Sequence, residues 1–459
     1  MKHTGRKLLV TITLLSCVLL LQLLDDRAFA QTADLDRAAR IRDQIGATNT
    51  RMVNEADIIS LRNDLNKAME AVVSRIGTLE KDMVDMKSRI RVLEARTAPS
   101  GTTITGPVSS AAPAPPQSAP APAAPAFAAP ASGGLRMNVS MCASGCDAAK
   151  FSDAVALVAE GGTLTVEPGE YFDCIKIFKS MKLVGKIAPD GSRAYLKKIA
   201  CSGKGAVDLE APDVTVQGLK ISDITVPDEN GACIRVGPTT QKLLIKDIIC
   251  LNSENGLLGG TNNKDGVMTI EDSTFEGHGK GDRAHGIYIN GGAKAALRNV
   301  KILASNNGHL LKTGAAFTLV ENSVIAALGG NGGEAINAYA GGQLTVRNSV
   351  LQLGPNTQNH NFISYATEPN RIVPGAVHKI LIENNWIIYD DEKRCCRWLF
   401  SKITNILDKI DVRNNKFVGR IDPVVSSVDM RLNKEYADRD EAGLRKYDGT
   451  LDSIPKPGS

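Results

Sequence analysis

Apolar positions recur along the chain with two different periods, and the change of period divides it. From Met69 they run Met69, Val72, Ile76, Leu79, Met83, Met86, Ile90 and Leu93. Steps of three and four sustained over four heptads predict a coiled coil over residues 69–96, because that spacing keeps one apolar stripe facing a partner helix. With Met69, Ile76, Met83 and Ile90 at position a, Arg75, Asp82 and Arg89 at g oppose Glu80, Lys87 and Glu94 at the following e. Each pair is opposite in charge, which favours parallel, in-register association. Residues 34–65 continue helically with a less regular seam, so a helical region is expected over 31–96.

Residues 97–134 form a Pro/Ala-rich stretch that cannot bury a core and predicts an extended spacer. The head begins near Leu135, where a short amphipathic helix around "FSDAVALVAE" leads into strands. Its remainder is an internal repeat. Val216, Ile245, Ile270, Leu297, Val320, Val346, Ile382 and Val412 fall in one apolar column with a period of 23 to 36 residues. Two residues after each stands Gly218, Asp247, Asp272, Asn299, Asn322, Asn348, Asn384 or Asn414. A short strand, an Asn or Asp at a tight bend and another strand is what each coil of a parallel β-solenoid requires, since Asn tolerates the left-handed conformation and can bond its neighbours in adjacent coils. Residues 135–420 are therefore expected to form the solenoid and 421–459 a C-terminal cap or tail.

A second column runs through Ile234, Leu257, Ile287, Leu311, Ile336 and Ile363, one per coil. If these point inward, period-two alternation turns Arg235, Leu258, Tyr288, Lys312, Asn337 and Ser364 outward. Coils stand about 4.8 Å apart, so Tyr288 and Lys312 become neighbours on one exposed face, a floor suited to a saccharide. Arg235, Asn337 and Ser364 extend that floor as candidate substrate-binding residues, with Glu334 beside them. His285, His309, Glu334 and Asn361 form a companion column two residues earlier. Their parity is awkward: they reach the groove if a turn intervenes, and otherwise form a hydrogen-bonded ladder at an interior corner. In "RAHGIYINGG" (283–292) the glycines and isoleucines read as scaffold and Tyr288 as the better functional candidate than His285.

Roughly from residue 150 to 420 the head resembles the secreted right-handed parallel β-helix proteins of the pectate-lyase-like superfamily. "GTLTVEPGEY" is similar to the opening coil of that family, and "NGACIR", "ENGLLGG", "HGIYING" and "GHLLKTGA" resemble successive coils of a bacterial subgroup without an assigned activity. The resemblance implies an all-β, right-handed parallel β-helix and leaves the reaction open. "GHG" at 277–279, with His278, resembles a motif of β-helix polygalacturonases, but hydrolysis needs two facing carboxylates and the companion column offers Glu334 with Asp282 nearby. A lyase needs less: a cation for the uronate carboxylate, a base and an acid, for which Lys312, His309 and Tyr288 qualify, with His285 as a further catalytic candidate. No acidic cluster supports calcium, and no metal or other cofactor is expected. "RIGTLE" and "RIRVLE" match the arginine and glutamate pattern of parallel three-stranded coiled coils, which implies a homotrimer, with a dimer as the alternative.

Charge and cysteine content narrow the remaining classes. A net charge of +4 over 459 residues, with no run of five like charges, gives no support to nucleic-acid binding. Residues 1–30 read as an export signal: Lys2, Arg6 and Lys7 precede an apolar run, and "AFA" offers cleavage after Ala30. An uncleaved membrane anchor is the alternative. Loss of the signal removes Cys17 and leaves eight cysteines, an even number for a periplasmic or secreted chain, so disulfides are expected. Cys174 and Cys201 are 27 residues apart, about one coil, and are expected to pair. Two functions remain open: an exported protein that binds an acidic envelope or extracellular polysaccharide, with or without cleaving or modifying it, and a non-catalytic trimeric structural or adhesive envelope protein.

Overall fold

The computed structural model describes residues 134–459 apart from 262–263, 281–283, 360, 373–375, 392–396, 402–406 and 424–427. The signal (1–30), the coiled coil (69–96), the spacer up to residue 133, Asp282, Cys395 and Cys396 lie outside the described residues. The head is an all-β parallel solenoid. Each coil visits three sheets in turn, as when Asp213–Gln217, Lys220–Ser222 and Ala232–Val236 are followed by Lys242–Lys246 on the first sheet again. Among the described residues the first and second sheets hold eleven strands each and the third ten. Every strand pairs parallel with its counterpart one coil away.

The sequence columns are the stacking registers. Val216 pairs with Ile245, and the series continues through Ile270, Leu297, Val320, Val346, Ile382 and Val412 without a slip. None of these is more than 4% exposed. Burying each such side chain contributes roughly 1.5–3 kcal/mol, and a one-residue slip would turn the whole column to solvent, which fixes the register. The bend after the first sheet is equally regular: Gly218, Asp247, Asp272, Asn299, Asn322, Asn348, Asn384 and Asn414 all have positive φ, between 50° and 74° apart from Asn348 at 49°. The left-handed turn accounts for Asn, Asp and Gly at these eight positions. Just beyond it, buried polar side chains bond between coils. Ser323 Oγ accepts from Val300 N–H, Ser349 Oγ from Ser323 N–H, Asn385 Oδ1 from Ser349 N–H and Asn415 Oδ1 from Asn385 N–H, all at 2.8–3.1 Å.

Helix α1 (Phe151–Leu157) closes one end of the core with Phe151, Ala154 and Val155. Parallel pairing continues past residue 420, with Ile421–Asp422 on the third sheet and Lys434–Tyr436 on the second. The tail after Tyr436 then covers an apolar patch made by Leu303, Val324, Leu328, Val350, Trp386 and Ile388, using Leu444, Leu451 and Ile454. Arg439 pins it by pairing with Asp390 at 2.5 and 2.7 Å in a nearly buried contact. Among the described residues three disulfides join Cys142 to Cys146, Cys174 to Cys201 and Cys233 to Cys250. The bond between Cys174 and Cys201 spans 5.4 Å between Cα atoms, and together the three fit an oxidising compartment. The bond between Cys142 and Cys146 closes the short segment CASGC on itself.

Candidate functional site

The third sheet carries the outward column in one unbroken register: Arg235 pairs with Leu258, Leu258 with Tyr288, Tyr288 with Lys312, Lys312 with Asn337 and Asn337 with Ser364. Their inward partners Ile234, Leu257, Ile287, Leu311, Ile336 and Ile363 are fully buried. Parity along each strand therefore places the named residues on the outer face.

The companion column reaches the same face because a bend precedes each strand. Leu310 and Leu311, Ala335 and Ile336, and Phe362 and Ile363 are consecutive, fully buried core residues. In the earlier coils the first of each pair is glycine, and a Cβ at Gly286 would run into Ile302 while one at Gly256 would strike Phe275, both core residues. Two successive inward residues break the alternation, so the residue before them faces outward. His285 accordingly meets the outward Tyr288 edge to face at 5.2 Å between ring centres. Glu334 and Asn361 both reach the Ser364 hydroxyl, at 2.5 and 2.9 Å.

This column is also a ladder. Asn255 Oδ1 accepts from His285 N–H at 2.8 Å, and His285 Nδ1 accepts from His309 N–H at 3.1 Å. The two imidazoles stack at 5.1 Å with 13° between planes. Burial, then the neighbouring His309 and Lys312, push the pKa of His285 down to about 2, so its ring is neutral throughout the ordinary pH range. The His309 ring lies beside a carboxylate. Its Nδ1 faces Glu334 N–H at 3.2 Å and Glu334 Oε2 at 3.5 Å, while Nε2 faces the Asn337 amide at 3.2 Å. With Nδ1 bare the ladder continues, but Nε2 then carries a proton toward Asn337 Nδ2, itself a donor, so this tautomer requires the amide to turn its oxygen to the ring. With Nδ1 protonated, the buried Oε2, which has no hydrogen-bond partner among the described residues, is satisfied and Nε2 is left as a lone pair.

Lys312 sits in an aromatic box. Its Nζ is 4.9 Å from the centre of the Tyr288 ring and 5.1 Å from that of Tyr339, and the two rings meet edge to face at 5.9 Å. Such cation–π contacts hold an ammonium in place. Tyr339 is fixed by a hydrogen bond from its hydroxyl to Asn290 O at 2.9 Å, and residue 314 must be glycine because a Cβ there would collide with the ring. Burial first, then Tyr288 and Glu368, raise the Tyr339 phenol above its usual range. The Lys312 ammonium is paired at 2.9 Å with Glu368, and Thr367 beside it contacts the Asn337 amide at 3.2 Å.

The fold thus gathers Tyr288, Lys312, His285, His309, Glu334, Asn337 and Ser364 on one face. Arg235 stands two coils from Tyr288, with the buried Leu258 between, outside the cluster. His278 belongs to the interior: it bonds backbone atoms of Ser253 and Cys250, and burial lowers its pKa to about 4. Tyr339, Glu368 and Thr367 escape sequence reasoning because they follow the strands, where no period applies. Trp398, 43% exposed, continues the companion column beside Asn361. Among the described residues no three His, Cys, Asp or Glu side chains gather as a metal-ligand set.

No protein-family model and no curated protein matches the sequence. Solved structures similar to the chain include a pectate lyase (14% identity, 67% of this chain and 80% of that one, TM-score 0.43) and an alginate lyase from Paenibacillus sp. str. FPU-7 (13%, 66% and 96%, 0.46). A pectin methylesterase from Aspergillus niger is also similar (14%, 60% and 92%, 0.38). At these levels no residue role is carried over to this chain.

Proposed function

We propose that the protein is exported and binds an acidic polysaccharide along the outer face of the third sheet, held by a trimeric stalk. The observation that carries this reading is the Lys312 ammonium boxed by Tyr288 and Tyr339 on a face that also presents His309 and Asn337. A sugar ring stacks on an aromatic face while a cation meets its carboxylate, and three such sites on one stalk gain avidity. If a bond is broken, the set suits β-elimination: Lys312 neutralises the uronate carboxylate and Tyr288 protonates the leaving oxygen. His309 takes the C5 proton through Nε2, with Glu334 behind Nδ1 holding the tautomer that this requires. Hydrolysis is disfavoured because it needs two facing carboxylates, and among the described residues the companion column supplies Glu334 alone. No calcium or other cofactor enters the scheme.

The Lys312–Glu368 pair favours a second reading, in which the face binds without reacting and the protein is an adhesive or structural component of the envelope. The ultraviolet absorbance of unsaturated uronates, followed over a panel of acidic polysaccharides, separates the two. A rising signal that Lys312→Ala abolishes supports elimination. Saturable binding with no such signal supports adhesion, and neither signal nor binding with any acidic polymer overturns both polysaccharide readings.

A further inference from the structure

The carboxylate that meets Lys312 comes from outside the sheet. Glu368 lies just beyond strand Asn361–Tyr365, and its backbone is anchored by a hydrogen bond from Glu368 N–H to Tyr339 O at 3.0 Å. The adjacent Thr367 hydroxyl lies 3.2 Å from the Asn337 amide. The Glu368 side chain is 38% exposed and that of Lys312 16%, so the carboxylate forms the solvent side of the pair. Tyr288 and Tyr339 close two flanks of the ammonium. An anion arriving from solvent therefore meets Glu368 before it meets Lys312.

We infer that Glu368 occupies, in the unliganded protein, the position that the carboxylate of an acidic sugar takes on Lys312, and that it sets affinity and selectivity by competing for that ammonium. The inference rests on the reading of this face as an acidic-polysaccharide site. Two carboxylates cannot share one ammonium without mutual repulsion, so a uronate must turn Glu368 away and replace one charge-assisted hydrogen bond by another. A neutral sugar gains nothing from that exchange and leaves the pair closed. The resident carboxylate thus makes each site weak, and a polymer presenting many carboxylates is the ligand that overcomes this.

The experiment is titration calorimetry of the full-length protein with polygalacturonate, with alginate and with their carboxyl-reduced counterparts. Glu368→Gln keeps the size of the side chain and removes its charge; Glu368→Ala removes the group altogether. Either variant binds the acidic polymer that the wild type binds about three- to tenfold more tightly, the scale of a partly exposed ion pair with one strong hydrogen bond. Affinity for the carboxyl-reduced polymer does not change. In a Lys312→Gln background the same replacements bring no gain, because the ammonium they would release is absent. Unchanged or weaker binding by both Glu368 variants, with the wild type binding normally, overturns the inference and leaves the polysaccharide reading intact. No binding of any acidic polymer by wild type or variants overturns the polysaccharide reading and the inference with it.

Discussion

Replacing His285 by Asn tests the ladder and the charge state of the histidine pair together. Folding lowers the pKa of His285 from the ordinary imidazole value of 6.5 to about 2, so between those values the unfolded chain binds a proton that the folded chain does not. Stability from this residue is fully present above about pH 6.5 and is lost as pH falls below it. Between pH 8 and pH 5 the loss is about 2 kcal/mol, from roughly 1.4 kcal/mol for each pH unit below the unfolded value. Asparagine does not titrate, and it can accept His309 N–H as Asn255 accepts His285 N–H. At pH 8 the variant should lose about 1–2 kcal/mol, for the stack on His309 and the contact with Tyr288. At pH 5 that deficit should vanish. His278, lowered to about 4, destabilises both proteins equally on acidification and cancels in the comparison. Urea unfolding of both proteins at the two pH values, followed by circular dichroism, measures the difference. An equal deficit at pH 8 and pH 5 would refute the neutral, desolvated His285.

Other expectations are independent of this one. His285→Ala should cost about 1–3 kcal/mol more than His285→Asn at pH 8, because it orphans His309 N–H, as thermal melts of the two variants will show. Reducing the bond between Cys174 and Cys201, or Cys174→Ser, should lower stability by roughly 2–4 kcal/mol; equal melting with and without reductant would contradict this. Arg439→Ala strips Asp390 of its buried partner, a loss of about 3–5 kcal/mol for such a pair, and should expose the tail beyond Tyr436 to limited proteolysis while the coils stay resistant. Full-length protein should sediment as a trimer and residues 135–459 as a monomer; a monomeric full-length chain or a trimeric head contradicts the reading of residues 69–96.

The coil pattern was legible because a solenoid repeats its local physics. Column residues such as Ile270 and Leu297 are forced into register by burial, and Asn299 or Asn322 by a left-handed bend that few other residues tolerate. The outward set from Arg235 to Ser364 followed from the same register. The facing of His285 and His309 stayed open between a turn onto the groove and an interior ladder, because spacing alone does not show whether a bend resets the alternation. The signal was present: "HLL", "EAI" and "NFI" each place a polar residue before two consecutive apolar ones, which a strand of strict period two does not do. Tyr339 and Glu368 lie past the strand ends, where their approach to Lys312 depends on loop geometry rather than spacing. The tail contacts on the patch around Trp386 are long-range, and no periodicity encodes them.

The central claim is that the boxed Lys312 and Tyr288 form an acidic-sugar site, and the binding isotherm of the full-length protein for acidic polysaccharides, measured beside Tyr288→Ala and Lys312→Ala, tests it most directly. Saturable wild-type binding is predicted to fall at least tenfold in both variants, a loss of about 1.4 kcal/mol or more, with melting temperatures close to that of the wild type. Binding of every acidic polymer that is unchanged in both variants, with stability also unchanged, would contradict the account and leave this face as scaffold.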